Sequence, residues 1–327
     1  HILVNKDGAT YQFGIDYLRD VWYSSSYLLD RKQVANGLAK DRFSNYKQMP
    51  LEYKFNKNFT GTFKQYGISP DRRKPSGLHA AVIREKGTNS EREMAYALYL
   101  AGFDVKDVTM TDLESGRETL DDINMIVFCG GFSNSDVLGS AKGWAGAFRY
   151  SEKAKETLNR FYARPDTLSL GVCNGCQLMM ELNLLSPDRK DIGKMVHNNS
   201  HKFESCYVSL SIPKNDSVMF GSLSGNKIGI WVAHAEGKFS LKGKEEDYNI
   251  IAKYNYSQYP GNPNGSDFDV AGLASADGRH VAIMPHLERA FFPWQCGNYP
   301  ADRKNDEVTP WIEAFVNARK WVEKHKK

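Results

Sequence analysis

Three short stretches of this chain hold residues whose types and spacing suit nucleophilic catalysis. The first is Gly171-Val172-Cys173-Asn174-Gly175-Cys176, which follows the apolar Leu168-Ser169-Leu170 and runs into the helical pattern Gln177-Leu178-Met179-Met180-Glu181-Leu182. A cysteine on a sharp turn between a buried strand and a helix is pushed into the open. Free backbone N–H groups and the positive end of the helix dipole favour its thiolate there. This is a nucleophile elbow with sulfur in place of the serine oxygen. The second stretch is Cys129-Gly130-Gly131-Phe132-Ser133, at the end of an apolar run. Its two glycines expose backbone N–H groups that, with the N–H of Asn174, can hold a developing oxyanion. The third is Met284-Pro285-His286-Leu287-Glu288. In extended chain His286 and Glu288 project from one face, so the carboxylate can hold one imidazole nitrogen while the other serves the thiol.

Each assignment has a competitor. The chain has eight histidines, and His234-Ala235-Glu236 repeats the His-x-Glu spacing. His1 and His325 lie at the termini, His79 and His280 flank apparent strands, and His197 and His201 fall in a polar loop. Cys173 and Cys176 form a CxxC, which is also a dithiol redox motif or half of a zinc site. No second CxxC is present, so no metal is expected. Dithiol chemistry calls for neither a Gly-Gly turn nor a His-x-Glu pair. Cys176 reads more simply as a small apolar residue one turn into the helix.

These residues need elements to carry them. From His79 onward strands alternate with helices: a buried strand at 80–83, a helix opened by Ser90-Glu91-Arg92-Glu93 as a capping box and closed by Gly102, and strands at 104–110 and 123–129. A helical stretch at 141–162 leads to the strand that delivers Cys173. This pattern predicts an α/β fold, an open, doubly wound, mostly parallel sheet with flanking helices, with ligands at the carboxyl ends of the strands. Beyond residue 200 come shorter strands and Gly/Asn-rich loops, then a final helix burying Trp311, Ile312, Phe315, Val316 and Val322. Ahead of the sheet lies a helical and extended linker segment. It holds an amphipathic helix at 15–31 with Ile15, Leu18, Val21, Trp22, Leu28 and Leu29 on one stripe, and Asp71-Arg72-Arg73-Lys74-Pro75-Ser76-Gly77 marks the junction. The expected division is 1–75 and 76–327.

Composition is that of a globular protein, with 41% hydrophobic and 25% charged residues. No apolar run approaches the roughly 20 residues of a membrane-spanning helix, so no membrane partner is expected. Five cysteines, an odd number, fit a reduced, cytoplasmic setting better than a disulfide framework. Residues 30–77 carry eleven Lys or Arg against four Asp or Glu, with seven aromatics interleaved. That mix suits nucleic acid or a segment wrapped over another domain. Without a nucleic-acid-binding motif the wrapping segment is expected, and nucleic acid is not.

The elbow, the Cys-Gly-Gly-Phe-Ser stretch and Met-Pro-His-x-Glu-Arg (284–289) together resemble the class I, or triad, glutamine amidotransferases. Arg-Glu-x-Gly-x-Asn-Ser (84–90), Asp-Val-Leu-Gly (136–139), Asn-Pro-Asn-Gly-Ser (262–266) and Pro-Trp-Gln (293–295) extend the likeness from about His79 to the end. The resemblance implies a glutaminase with Cys173, His286 and Glu288 as triad, and an oxyanion hole near Gly130, Gly131 and Asn174. It also places Gln177, Asn198 and Ser200 at the substrate, glutamine. By the same likeness, residues 1–75 are the tail and linker of a synthetase part, and this chain is the C-terminal piece of a larger fused enzyme. ATP and magnesium would belong to the missing synthetase part, with no cofactor in this piece. A stand-alone amide hydrolase of the same fold and a non-catalytic docking module are the alternatives.

Overall fold

The structure, a computed structural model, describes residues 1–189 and 192–326. Its centre is a nine-stranded mixed sheet in the order Asp104–Thr109, His79–Arg84, Met125–Phe128, Leu168–Val172, His280–Ile283, Val270–Ala274, Asn249–Tyr254, Glu204–Ser211, Lys227–His234. The first five strands are mutually parallel and the remaining pairings antiparallel. Met125–Phe128 and Leu168–Val172 are buried throughout, as their apolar runs require of strands covered on both faces. Helix Glu91–Ala101 packs with the C-terminal helix Ile312–His325, while Lys142–Tyr150, Glu152–Ala163 and Asn174–Glu181 form the other group of flanking helices. The expected buried face of the last helix is fully enclosed, and Trp311 donates to Gly229 O at 2.9 Å.

Two local readings change. Gly102 ends its helix at φ +113° as expected, but the capping box does not form. Ser90 sits at φ +66°, and its buried hydroxyl has no partner among the described residues. The cause lies just upstream: Asn89 N–H is committed to Gly130 O (2.8 Å), so the chain enters the helix through a left-handed turn. The first helix runs from Ile15 to Gln33, yet its apolar stripe faces out, with Trp22 at 75% and Leu29 at 66% exposure. The inward stripe is Arg19, Tyr23, Tyr27 and Asp30, with Tyr23 and Tyr27 against Phe43.

The basic segment wraps the sheet. Lys54 exchanges two backbone hydrogen bonds with Lys227 (2.9 and 2.8 Å), covering part of the edge strand. Phe55 and Phe59 cluster with Tyr299, Tyr66 donates to Glu313, and Arg72 holds Asp104 at 2.8 Å. A buried ion cluster joins this segment to the sheet. Arg42 contacts Asp30 (3.0 Å) and Glu204 (2.8 Å), and Lys202 also reaches Asp30 (2.8 Å). Arg42→Ala leaves Glu204 without its cation and Asp30 with one cation of two. We expect a loss of about 3 kcal/mol in urea unfolding; a loss below about 0.5 kcal/mol would show the cluster to be energetically idle.

Candidate active site

Four parallel strands end side by side, and the loop after each contributes to one site. The elbow residue Cys173 is only 5% exposed and sits at φ +53°, ψ −107°, a strained conformation for a non-glycine residue. Its N–H donates to Ile283 O (3.0 Å) and its carbonyl accepts from Gln177 N–H (3.0 Å), which fixes the turn from both sides. The flanking glycines are steric necessities. A Cβ on Gly171 would meet Gly175 O at 2.5 Å, and one on Gly175 would meet Phe128 O at 2.0 Å.

His286 follows the strand His280–Ile283 and is anchored by its own N–H to Trp231 O (2.9 Å). Its Nδ1 donates to Glu288 Oε1 at 2.6 Å, leaving Nε2 for the sulfur. The pair forms by a different route from the extended one expected: Glu288 lies in the short 3-10 turn Leu287–Arg289, which folds the carboxylate back onto the ring. Both side chains are buried, and Arg289 Nε stands 3.9 Å from Glu288 Oε1. Gly130 must lack a side chain here, since a Cβ would lie 2.8 Å from His286 Cε1 and 3.4 Å from Cys173 Cβ.

The electrostatics favour an ion pair. Burial pushes the Cys173 thiol up, but the charge of His286, with further contributions from His234, outweighs it and brings the thiol down to about 6. Burial lowers His286, whereas Glu288 and Cys173 raise it, to about 10. Cys129 and Cys176 have no such partner: burial raises Cys129 to about 12 and Cys176 well above the usual range. Among the described residues only Cys173 therefore combines a lowered thiol with an imidazole partner, and Cys176 is a buried packing residue.

The Gly-Gly turn lies against the loop 87–89. Asn89 N–H to Gly130 O and Phe132 N–H to Gly87 O (both 2.8 Å) close an antiparallel bridge between Thr88 and Gly131. That pattern turns the Gly131 N–H away from Thr88, and Gly131 lines the same cavity as Cys173. Asn174 opens its helix, so its N–H has no intrahelical acceptor. Its side chain is occupied: Oδ1 accepts from Ser133 N–H (3.1 Å) and Nδ2 donates to Gln177 Oε1 (2.9 Å) and Asp136 (3.2 Å). The cavity is about 110 Å³ and is lined by Gly131, Phe132, Asp136, Ser140, Cys173, Gln177 and residues 233–236. A larger cleft, about 830 Å³, touches the Ser133–Asp136 turn but not Cys173.

The structure thus brings together Cys173, His286, Glu288, Gly130, Gly131, Asn174 and Gln177. Asn198 and Ser200 stand behind the site instead. The Asn198 amide donates to His234 O (2.8 Å) and accepts from Gly237 N–H (3.0 Å), bracing the loop that lines the cavity. Ser200 O accepts from Ala35 N–H (3.0 Å), tying that brace to the N-terminal segment. The competing pair is not a pair: His234 Nε2 meets Asn264 Oδ1 at 2.7 Å, while Glu236 accepts from Ser140 N–H at 3.0 Å. Sequence reasoning missed Phe132, Asp136 and Ser140 as cavity walls; the motifs at 129–133 and 136–139 were the available signal for the first two, and Ser140 follows directly after the second motif.

Residues 78–322 match the CobB/CobQ-like glutamine amidotransferase domain family. A curated Arabidopsis thaliana protein named probable phosphoribosylformylglycinamidine synthase, chloroplastic/mitochondrial, is similar at 39% identity, over 98% of this chain and 24% of its own length. The Homo sapiens phosphoribosylformylglycinamidine synthase is also 39% identical, over 93% of this chain and 24% of its own. The chain spans about a quarter of the length of these relatives. Among solved structures, PurLQS from Thermotoga maritima superposes with a TM-score of 0.58 at 27% identity, over 76% of this chain and 99% of that one.

Proposed function

We propose that this chain, which belongs to the CobB/CobQ-like glutamine amidotransferase family, is the glutamine-hydrolysing part of a phosphoribosylformylglycinamidine synthase. The observation that carries the reading is a lowered Cys173 thiol paired with the His286–Glu288 dyad, on an elbow facing the Gly130-Gly131 turn. In this reaction the Cys173 thiolate attacks the side-chain amide carbon of glutamine, and the N–H groups of Gly131 and Asn174 hold the oxyanion. As the tetrahedral adduct collapses, the C–N bond breaks and His286 gives its proton to the leaving nitrogen, releasing ammonia and a γ-glutamyl thioester. Neutral His286 then takes a proton from water, whose oxygen attacks the thioester; glutamate leaves and the thiolate–imidazolium pair is restored. Glu288 holds the ring in the working tautomer throughout.

In the whole protein the ammonia would pass to synthetase domains outside this chain, where ATP and magnesium activate formylglycinamide ribonucleotide for amination. This assigns residues 1–75 to the synthetase tail and linker and 76–327 to the glutaminase. The outward apolar side of the N-terminal segment, including Leu3, Trp22 and Leu29, supports contact with those domains. Among the described residues no helix is long and apolar enough to cross a membrane. The free cysteines support a reducing, cytoplasmic setting.

The test is mass mapping after reaction with a diazo-ketone analogue of glutamine. One adduct, on Cys173 and blocked by excess glutamine, is expected. Its rate should rise with the thiolate fraction through about pH 6 and stay level until His286 deprotonates near 10. Equal labelling of Cys173 and Cys176, or a rate that rises only near the ordinary thiol pKa, would defeat the reading.

A further inference from the structure

The amino-acid end of glutamine lacks the partners that the family likeness assigned to it. Asn198 and Ser200 stand behind the site, and the Asn198 amide is spent on His234 O and Gly237 N–H. Gln177 does reach the cavity, but its Oε1 accepts from Asn174 (2.9 Å) and its Nε2 donates to the Glu236 carbonyl (2.8 Å). What the cavity offers instead is negative charge. Among the described residues its lining carries two carboxylates, Asp136 and Glu236, and no lysine or arginine. The two are close enough that the charge of Glu236 adds to burial in raising Asp136. Neither is saturated. Glu236 Oε2 accepts from Ser140 N–H (3.0 Å), while Oε1 has only Nδ1 of the exposed His197 at 3.8 Å, beyond hydrogen-bond length. Asp136 Oδ1 accepts from Ala141 N–H and the Asn174 amide (both 3.2 Å), and its Oδ2 has no partner among the described residues. Two like charges on one cavity disfavour each other, and a cation placed between them relieves both. Ser140, Gln177 and Glu236 also line a neighbouring cavity of about 300 Å³, whose lining adds Lys142 and Lys194 beside the paired Arg149 and Glu181.

We propose that Glu236, with Asp136 beside it, receives the α-ammonium of the substrate and so restricts the site to amides of a free α-amino acid. The inference rests on the glutaminase reading. Glu236 Oε1 accepts one ammonium N–H and Asp136 Oδ2 a second, a pair of charge-assisted hydrogen bonds. The carboxamide, at the far end of the same molecule, is left at Cys173, and the α-carboxylate turns towards the lysines of the neighbouring cavity. A glutamine whose nitrogen is acylated, or an analogue without the amine, brings no cation and gains nothing from the two carboxylates.

The compounds that test this are L-glutamine and glutaramate, which keeps the carboxamide and the carboxylate but has hydrogen in place of the amine. In the full-length enzyme, wild-type kcat/KM should favour L-glutamine by at least about tenfold. Glu236→Gln keeps an oxygen for Ser140 N–H but removes the charge. It should take away most of that preference, a fall of about tenfold or more in the ratio, chiefly through KM for L-glutamine. Wild-type protein that hydrolyses both compounds equally well, or a variant that keeps the wild-type preference, would overturn the proposal and leave Glu236 as an anchor for Ser140. If the variant turns over neither compound, the preference is read from how well each protects Cys173 against iodoacetamide. Wild-type protein that releases ammonia from neither compound would overturn the glutaminase reading itself, a result distinct from the others.

Discussion

Cys173→Ser should abolish ammonia release from glutamine, by at least about 10³-fold in kcat, while leaving the fold intact. The substitution is nearly isosteric, so the elbow, the Ile283 anchor and the His286–Glu288 pair all survive it. What changes is the nucleophile's acidity. Burial penalises the charged form of whatever atom sits here, and only because the thiol starts near 9 can His286 bring it down to about 6. A serine hydroxyl starts several units higher, and the same imidazole cannot hold it ionised at neutral pH. Ammonia release and far-UV circular dichroism measured together decide the matter. Activity within tenfold of wild type would move the chemistry to another residue, Cys176 first.

Gly175→Ala is expected to damage the protein most among single methyl additions at the site. The new Cβ would stand 2.0 Å from Phe128 O, 2.6 Å from Phe128 C and 2.8 Å from Phe128 Cβ. None of these atoms can yield cheaply, because Phe128 lies in a central buried strand with its ring edge-on to Trp144 and Phe148. The first turn of the helix Asn174–Glu181 must therefore lift from the sheet, carrying the Asn174 N–H and the Cys173 turn with it. A loss of about 3 kcal/mol or more is expected in chemical denaturation, together with loss of Cys173 labelling. Gly146→Ala is the control: its Cβ meets nothing closer than Tyr150 Cδ2 at 3.9 Å, and a helical site gains from alanine. If the two variants prove equally stable, the close approach of helix and strand is not what sets the elbow.

Much of the site was legible because its chemistry is written in local sequence. An apolar run, a Gly-x-Cys-x-Gly turn and a helical pattern specify an elbow wherever they occur, since strand, turn and helix are set by neighbours a few residues apart. The same holds for the Gly130-Gly131 turn and for the enclosed face of the last helix. Where neighbours mislead, the sequence reading departs from the structure. Ser90 has the spacing of a cap, but Asn89 is bound to a carbonyl some forty residues away. The stripe holding Trp22 and Leu29 has the period of a buried face, but Asp30 and Tyr27 are the residues that find partners inside.

The two His-x-Glu pairs show where local sequence stops. His234-Ala235-Glu236 and His286-Leu287-Glu288 are equivalent by spacing, residue type and position after a strand. What separates them is the company each finds. His286 is followed by a turn that folds Glu288 back to 2.6 Å. Glu236 is drawn off by Ser140 N–H, and His234 by Asn264. Likewise, nothing near Asn198 in sequence reveals that its amide is consumed by His234 O and Gly237 N–H. By itself the sequence determined the α/β alternation, the cysteine elbow, the Gly-Gly turn beside it and a short list of candidate bases. Only the tertiary structure decided which His-x-Glu pair closes on itself beside the thiol and which polar side chains brace the site. The reason is physical: backbone turns depend on adjacent residues, whereas hydrogen-bond partners in a buried site come from strands and loops far apart in the chain.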